Sequence, residues 1–407
     1  MRSSAEILHI VSFDVPYPAN YGGVIDIFYK LRHLKELGFD IVLHCYEYGR
    51  EKSPELNAFC KKVYYYKRKI YKNPFIGSLP YIVSSRNAAA LFENLKLDKG
   101  PILFEGLHTT FFINHPDLAD RYKIVRMHNI EHDYYASLEK AERHYFKKYF
   151  FRIESERLRK YQSVLKHADL ICAISPNDHK YLSRKFHQTI HLPPFHGNNK
   201  VTSETGKGEY ILYHGNLSVA ENHEAALYLV NNVFSKIAMP CIIAGNNPPK
   251  ELEHAIEAFP NIRLLTNTSA DHIHSLILGA HINVMHTAQA TGIKLKLINA
   301  LYMGRHCVGN KEMLKNTFME ELCELALDSE SYIRIIQDLW EKPFEKSEVA
   351  KRNEILLNHF DDRYNAEVLA GFIRQHSNQG SVLSQPEHKI EKETNSVLGS
   401  VLSYFML

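Results

Sequence analysis

Thr291-Gly292-Ile293-Lys294-Leu295-Lys296-Leu297-Ile298-Asn299-Ala300-Leu301-Tyr302-Met303-Gly304-Arg305 is the stretch whose reading decides the fold. It begins as a loop and continues as an apolar run with Leu297, Ile298, Leu301 and Tyr302 at helical spacing. It stops at a glycine, and a new β-rich run follows at His306-Cys307-Val308. Gly292 has no Cβ and lets the backbone approach a ligand closely. Gly304 is expected in the left-handed conformation that closes a helix. Lys294 and Lys296 stand where the helix begins, beside unpaired N–H groups and the positive end of the dipole. Such a place suits a phosphate. The plain alternative is a core helix with two solvated lysines, because a charge pair carries little specificity.

Upstream, the same alternation of strand and helix runs through the chain. Strands are expected at Ile7–Phe13, Ile41–Tyr46, Val63–Tyr66, Pro101–Phe104, Lys123–Met127 and Leu170–Ile174. A helix is expected from Val24 to Leu37, ended by Gly38, and a long charged and aromatic one from about Ala136 to His167. Residues His191–Glu209 break the pattern with Pro193-Pro194 and Gly197-Asn198-Asn199, which is turn and linker chemistry. The alternation then restarts. Strands are expected at Tyr210–His214, Cys241–Ala244, Asn261–Leu265 and Ile282–His286, and helices at Asn222–Phe234 and Ala270–Leu278. The expected fold is therefore α/β, with two Rossmann-like, doubly wound parallel sheets facing each other across a cleft. The expected domains are residues 1–192, a linker at 193–209, a second domain at 210–376 reached by helices running from Glu320 to about Gln375, and a polar, disordered tail at 377–407. The last eleven residues, Val397–Leu407, read as a loose terminus, with an amphipathic docking element as the alternative.

Bulk properties agree. A chain of 407 residues, 45% hydrophobic and 23% charged, has room for two cores. A net charge of +3 gives no reason to expect nucleic acid as a partner. The six cysteines show no Cys-x-x-Cys pairing and read as reduced, buried thiols of a cytoplasmic protein. No signal peptide is expected, and no apolar run reaches the ~18 residues of a membrane span.

Four clusters fall at junctions where chemistry is expected. Pro16-Tyr17-Pro18-Ala19-Asn20-Tyr21-Gly22-Gly23 follows the first strand and lacks the dinucleotide spacing. Arg126-Met127-His128-Asn129-Ile130-Glu131-His132 has the His-x-x-Glu-His spacing of one zinc peptidase class. That chemistry needs both histidines on one helical face, whereas His128 directly follows a strand, so a cleft-facing or structural histidine is the better reading. Tyr213-His214-Gly215-Asn216-Leu217 ends a strand and offers a phosphate the turn at Gly215. Glu105 and His108 end another strand and either contact a polyol or pair with each other.

In this order the pieces resemble a sugar-nucleotide glycosyltransferase of the two-Rossmann-domain (GT-B) type, and most closely the retaining group 1, or family 4, glycosyltransferases. The resemblance rests on Pro18…Gly22-Gly23, His128-Asn129, Ala168-Asp169…Ser175, Tyr213–Leu217, Ile242–Gly245 and Thr291–Gly304. It implies metal-independent transfer of a hexose, with retention, from a nucleotide sugar to a glycan or lipid-linked acceptor in cell-surface polysaccharide synthesis. No cofactor is implied. The location implied is cytoplasmic, with peripheral contact at the inner face of the membrane. It assigns His128, Lys294 and Lys296 to catalysis, and Gly215, Asn216, Thr291, Gly292 and Asn299 to the donor. Gly22, Gly23, Asn129 and Glu105 fall on the acceptor and phosphate side. Relatives carry two glutamates where this chain has Thr291 and Asn299, so a catalytically inactive sugar-nucleotide binder is one alternative. A GT-B-fold epimerase is the other, although it needs a clear pair of acid/base carboxylates. The helix around Tyr145–Arg152 interleaves aromatic and basic residues. It reads either as a surface for an anionic membrane or, preferentially, as an amphipathic helix packed on its own sheet.

Overall fold

The computed structural model describes residues 6–70, 75, 77–142, 144–288, 292 and 295–382. Thr291 and Lys294, most of the loop before Leu295, and the expected tail from residue 383 lie outside the described residues. Residues 1–370 form one compact unit. The rest of the described chain is the end of a helix, Asp362–Val382, which runs beyond the expected limit near Gln375.

The first sheet has seven strands: β1 (Glu6–Ser12), β2 (Phe39–Glu47), β3 (Lys62–Lys67), β4 (Ile102–Glu105), β5 (Lys123–Met127), β6 (Leu170–Ala173) and β7 (Thr189–His191). The second has six: β8 (Tyr210–His214), β9 (Cys241–Ala244), β10 (Ile262–Leu265), β11 (Ala280–Met285), β12 (His306–Asn310) and β13 (Glu324–Ala326). Their orders are β3-β2-β1-β4-β5-β6-β7 and β10-β9-β8-β11-β12-β13, and the strand pairings in both sheets are parallel. The order reverses between β1 and β4, and again between β8 and β11. At such switch points neighbouring connections leave on opposite faces and open a crevice beyond the strand ends.

Successive residues of β8 explain why the second sheet needs helices on both sides. Ile211 and Tyr213 join one core with Leu229, Val230 and Ile336, whereas Leu212 joins another with Leu297, Ile298 and Leu301. Alternation across a strand sends neighbours to opposite faces. Burying each such apolar side chain contributes about 1.5–3 kcal/mol.

Four expectations are corrected. The helix foreseen at 136–167 is two helices, Glu131–Ala141 and Tyr145–Tyr161, followed by a 3-10 turn, Gln162–His167. Glu142 and His144 are extended, and the Glu142 carboxylate accepts the His144 N–H at 2.9 Å, so the side chain replaces a helical bond. The helices then fold back on each other. The helical run foreseen from Glu320 is interrupted by β13, an edge strand pairing with β12, after which Asp328 and Ser331 form a capping box for Ser329–Trp340. β7, Thr189–His191, was not foreseen; the stretch foreseen as linker follows it and is fastened, since Asp362 accepts the N–H groups of His196 and Gly197 at 3.1 and 2.7 Å. Gly304 is absent from the positive-φ residues. What requires glycine there is crowding: a Cβ would lie 2.8 Å from the Ala300 carbonyl oxygen and closer still to the Asn283 amide.

Candidate functional site

Among the described residues, the expected site residues cluster at the carboxyl ends of β1, β4, β5 and β8 and at the helix after β11. A cleft of about 790 Å³ runs between Ser137, Lys140 and Tyr145 on the first half and Glu221, Glu224 and His286 on the second.

On the second half, the helix Ala220–Asn232 begins just beyond β8. Its N-cap Val219 supplies no side-chain bond, so the first-turn N–H groups have no cap from that residue. The preceding loop is held from within. Asn216 Oδ1 accepts from the Ser218 N–H and hydroxyl at 3.2 and 2.7 Å, and Asn222 Nδ2 donates to the Asn216 carbonyl at 3.1 Å. Lys296, in the first turn of Leu295–Met303, reaches this loop. Its Nζ lies 3.3 Å from Asn222 Oδ1 and 5.2 Å from the Tyr213 ring centroid. The Gly215 turn and Lys296, which are 81 positions apart in the chain numbering, thus share one place. Burial, and then the Lys296 charge, push His214 down to about 3 and His286 down to about 4. Both imidazoles are neutral at pH 7, beside a cationic lysine. Glu221 has its carboxylate tied to the Thr287 hydroxyl. Asn299 accepts from Asn198 Nδ2 at 2.9 Å, which engages its carbonyl with the connecting segment and leaves the amide nitrogen as its other polar group.

The first half meets this loop directly. Gly292 has φ +64°, and a Cβ would lie 2.7 Å from Asn129 Oδ1. A Cβ on Gly22 would touch Leu295 at 3.8 Å, and one on Gly23 would strike the Phe13 ring at 2.5 Å. The Phe13 ring stands edge-on to His128, with centroids 5.4 Å apart.

His128 Nε2 is 2.9 Å from Glu105 Oε2. Glu105 is fully buried, and its Oε1 lies 2.8 Å from Lys30 Nζ. The foreseen pairing of Glu105 with His108 is not made; His108 lies 3.9 Å from Glu131 instead. The His-x-x-Glu-His residues likewise separate: His128 precedes the helix, while His132 begins it and meets the Tyr181 hydroxyl at 3.4 Å. Asp26, Glu105 and His128 bring ligand atoms within 4.8 Å of one another, as a metal site would. However, Lys30 Nζ is already 2.8 Å from both carboxylates, so the cation among them is an ammonium.

Asp26, Lys30 and Arg126 were missed in the sequence. Their signal was charge in the wrong place: Asp26 and Lys30, four apart, interrupt the apolar stripe Val24, Ile27, Leu31, Leu34, and Arg126 interrupts a buried strand.

Glu131 was read only as part of the His-x-x-Glu-His spacing. Burial first, then the Asp178 carboxylate, push it up to about 8, against a smaller opposing effect of Arg86. Between the usual 4.5 and about 8, the unfolded chain ionises Glu131 while the folded protein keeps its proton. Stability therefore falls as pH rises through that window. Glu131→Gln is expected to stabilise the protein increasingly from pH 4.5 to 8, read from urea midpoints. An identical gain at pH 5 and pH 8 would show that Glu131 does not titrate there.

Two parallel, doubly wound sheets whose switch points flank one cleft define the GT-B class of fold. Residues 208–340 match the model of the family described as glycosyl transferases group 1. The chain is 28% identical over 313 residues to an uncharacterised 44.6 kDa protein in the cps region of Klebsiella pneumoniae, covering 72% of this chain and 79% of that one. Its fold is similar to Anabaena HepE, solved in complex with UDP and glucose (TM-score 0.64, 13% identity, 91% of this chain and 100% of the other). It is also similar to α,α-trehalose 6-phosphate synthase from Burkholderia multivorans (TM-score 0.62, 10% identity, 95% and 100%).

Proposed function

We propose that the protein transfers a hexose, without a metal ion, from a nucleotide-sugar donor to a hydroxyl of a glycan or lipid-linked acceptor, retaining anomeric configuration, in cell-surface polysaccharide synthesis. The observation carrying this reading is the meeting of Lys296 with the Gly215 loop and the first turn of Ala220–Asn232. The group 1 match over the same half and the relative from a cps region support it.

The bond broken joins the anomeric carbon to the diphosphate. Negative charge grows on the departing phosphate, and a fixed ammonium with oriented N–H groups stabilises it most when that charge is greatest. Lys294, outside the described residues, is proposed to add a second cation. The acceptor oxygen attacks on the face the diphosphate leaves, and its proton passes to the departing phosphate oxygen. Gly292, Asn129, Gly22 and Gly23 bring the first half against the donor loop and hold the reactants in register. His128 is assigned to the donor sugar and Asn299, through its amide, to the ribose. Glu105 leaves the acceptor set, because it is buried behind His128. The test is a thermal-shift screen with UDP-, GDP-, ADP- and TDP-sugars. One of them is expected to raise the melting temperature, and no shift with any would overturn the reading. Retention is read from the anomeric NMR signal of the product.

Peripheral contact with an anionic membrane belongs to the same proposal. Among the described residues no helix is long and apolar enough to cross a membrane. The preferred reading of the aromatic-basic helix, packed on its own sheet, does not hold for its first turns: Tyr145, Phe146 and Tyr149 are 87%, 76% and 58% exposed, beside exposed Lys147, Lys148 and Arg152. Tyr145 and Lys148 also line the cleft. Rings that enter the headgroup layer, flanked by cations, suit an anionic surface. The protein is expected to pellet with anionic vesicles and not with neutral ones, and the Tyr145→Ser/Phe146→Ser/Tyr149→Ser variant is expected to stay in solution. Equal pelleting of variant and wild type would remove this surface.

A further inference from the structure

The charges beneath His128 form one continuous buried chain. It starts at the connecting segment, where Arg126 donates to the carbonyls of Leu192 and Pro193 and Asp26 accepts the Phe195 N–H at 2.9 Å. Arg126 Nη2 meets Asp26 Oδ1 at 2.7 Å, and Lys30 Nζ meets Asp26 Oδ2 at 2.8 Å. Lys30 then meets Glu105 Oε1 at 2.8 Å, and Glu105 Oε2 meets His128 Nε2 at 2.9 Å. Their side chains are at most 9% exposed. Within this buried chain the two carboxylates of Asp26 and Glu105 face one ammonium, Lys30, and one guanidinium, Arg126.

From this order we infer that Glu105 is a positioning residue that fixes the tautomer of His128, with the proton on Nε2 and the lone pair on Nδ1. A carboxylate only accepts hydrogen bonds, so the nitrogen 2.9 Å from it must carry the hydrogen. Burial pushes the Glu105 pKa up, but Lys30 and then His128 outweigh burial and hold it below the usual range, so it is a carboxylate at neutral pH. His128 thus meets a substrate as an acceptor through Nδ1, matched to a hydroxyl donor such as a sugar. The naming of a sugar rests on the proposed transferase reading; the tautomer does not.

Glu105→Gln reverses the arrangement with almost no change in shape. Lys30 only donates, so the amide oxygen turns to Lys30 and the amide nitrogen turns to His128. Nε2 must then accept, and the proton moves to Nδ1. The measurement is the long-range ¹H–¹⁵N spectrum of ¹⁵N-histidine-labelled full-length protein, with His128 assigned by the loss of its signals in His128→Gln. Wild type is expected to show a protonated Nε2 and a bare Nδ1, and Glu105→Gln the reverse. A bare Nε2 in wild type overturns the inference, even if the variant fails to fold. An unchanged tautomer in a folded Glu105→Gln protein overturns it as well. Where donor and acceptor are in hand, Glu105→Gln is expected to lower kcat roughly 10- to 100-fold with little change in donor KM, by analogy with the scale seen when the carboxylate behind a metal-bound histidine is lost. A loss confined to KM counts against the inference. Absence of transfer by the wild type would overturn the transferase reading and leave the spectrum to decide the tautomer.

Discussion

Lys296→Ala is expected to weaken binding of a nucleoside diphosphate roughly 10- to 100-fold while changing the affinity of the bare nucleoside less than about threefold, since a hydrogen bond to a charged group contributes about 1.5–3 kcal/mol. The selectivity follows from position. Lys296 sits at the first turn of Ala220–Asn232, beside Asn222 and over the Tyr213 ring. Its neighbours His214 and His286 are held neutral at physiological pH. A histidine therefore does not replace the lost charge. Titration calorimetry with the two ligands reads the effect, and adding Lys294→Ala is expected to deepen the loss for the diphosphate alone. Equal losses for diphosphate and nucleoside would remove Lys296 from the phosphate site.

The largest expected loss of stability comes from Arg126→Met, about 3–5 kcal/mol, the cost of leaving a buried charge without its partner. Arg126 is fully buried and is joined to Asp26 at 2.7 Å and to two carbonyls of the connecting segment. Burial raises the Asp26 pKa, but Arg126 and then Lys30 outweigh it, so Asp26 is ionised in the folded protein. Without Arg126 that carboxylate keeps Lys30 and one N–H group. Urea unfolding followed by circular dichroism measures the loss. Asp26→Leu combined with Arg126→Met is expected to cost less than the sum of the two single changes, because residues in contact are not additive. A loss below about 1 kcal/mol for Arg126→Met would show that the ion pair is not a main support of the first half.

The sheets were legible because their signals are local. β5, β8 and β9 lie where alternation and flanking turns put them, and the other foreseen strands shift by a residue or two. The break after Ala141 was not legible, since Glu142-Arg143-His144 contains neither glycine nor proline and the helical pattern continues on both sides. β13 was missed because Glu324-Leu325-Ala326 is three residues at a sheet edge, paired with β12 alone. The site was legible as separate turns. Gly215, Lys296, Gly292 and Asn129 each stood out, but nothing local joins Gly292 to Asn129 or Lys296 to Asn222. The role of Glu105 was misread for the same reason. A carboxylate at a strand end looks free until Lys30 and His128 are found against it.

The sequence by itself determined two doubly wound halves, the break between them and the glycines and lysines at the strand ends. These follow from periodicity and turn chemistry, which act over a few residues. Tertiary structure alone decided which charges are neighbours. Asp26 and Arg126 lie 100 positions apart, and Asp26 and Phe195 lie 169 apart. A charge can be buried only where another element supplies its counterion, so the chain from the connecting segment to His128 exists only after the helix Gly22–Glu36, β4 and β5 align.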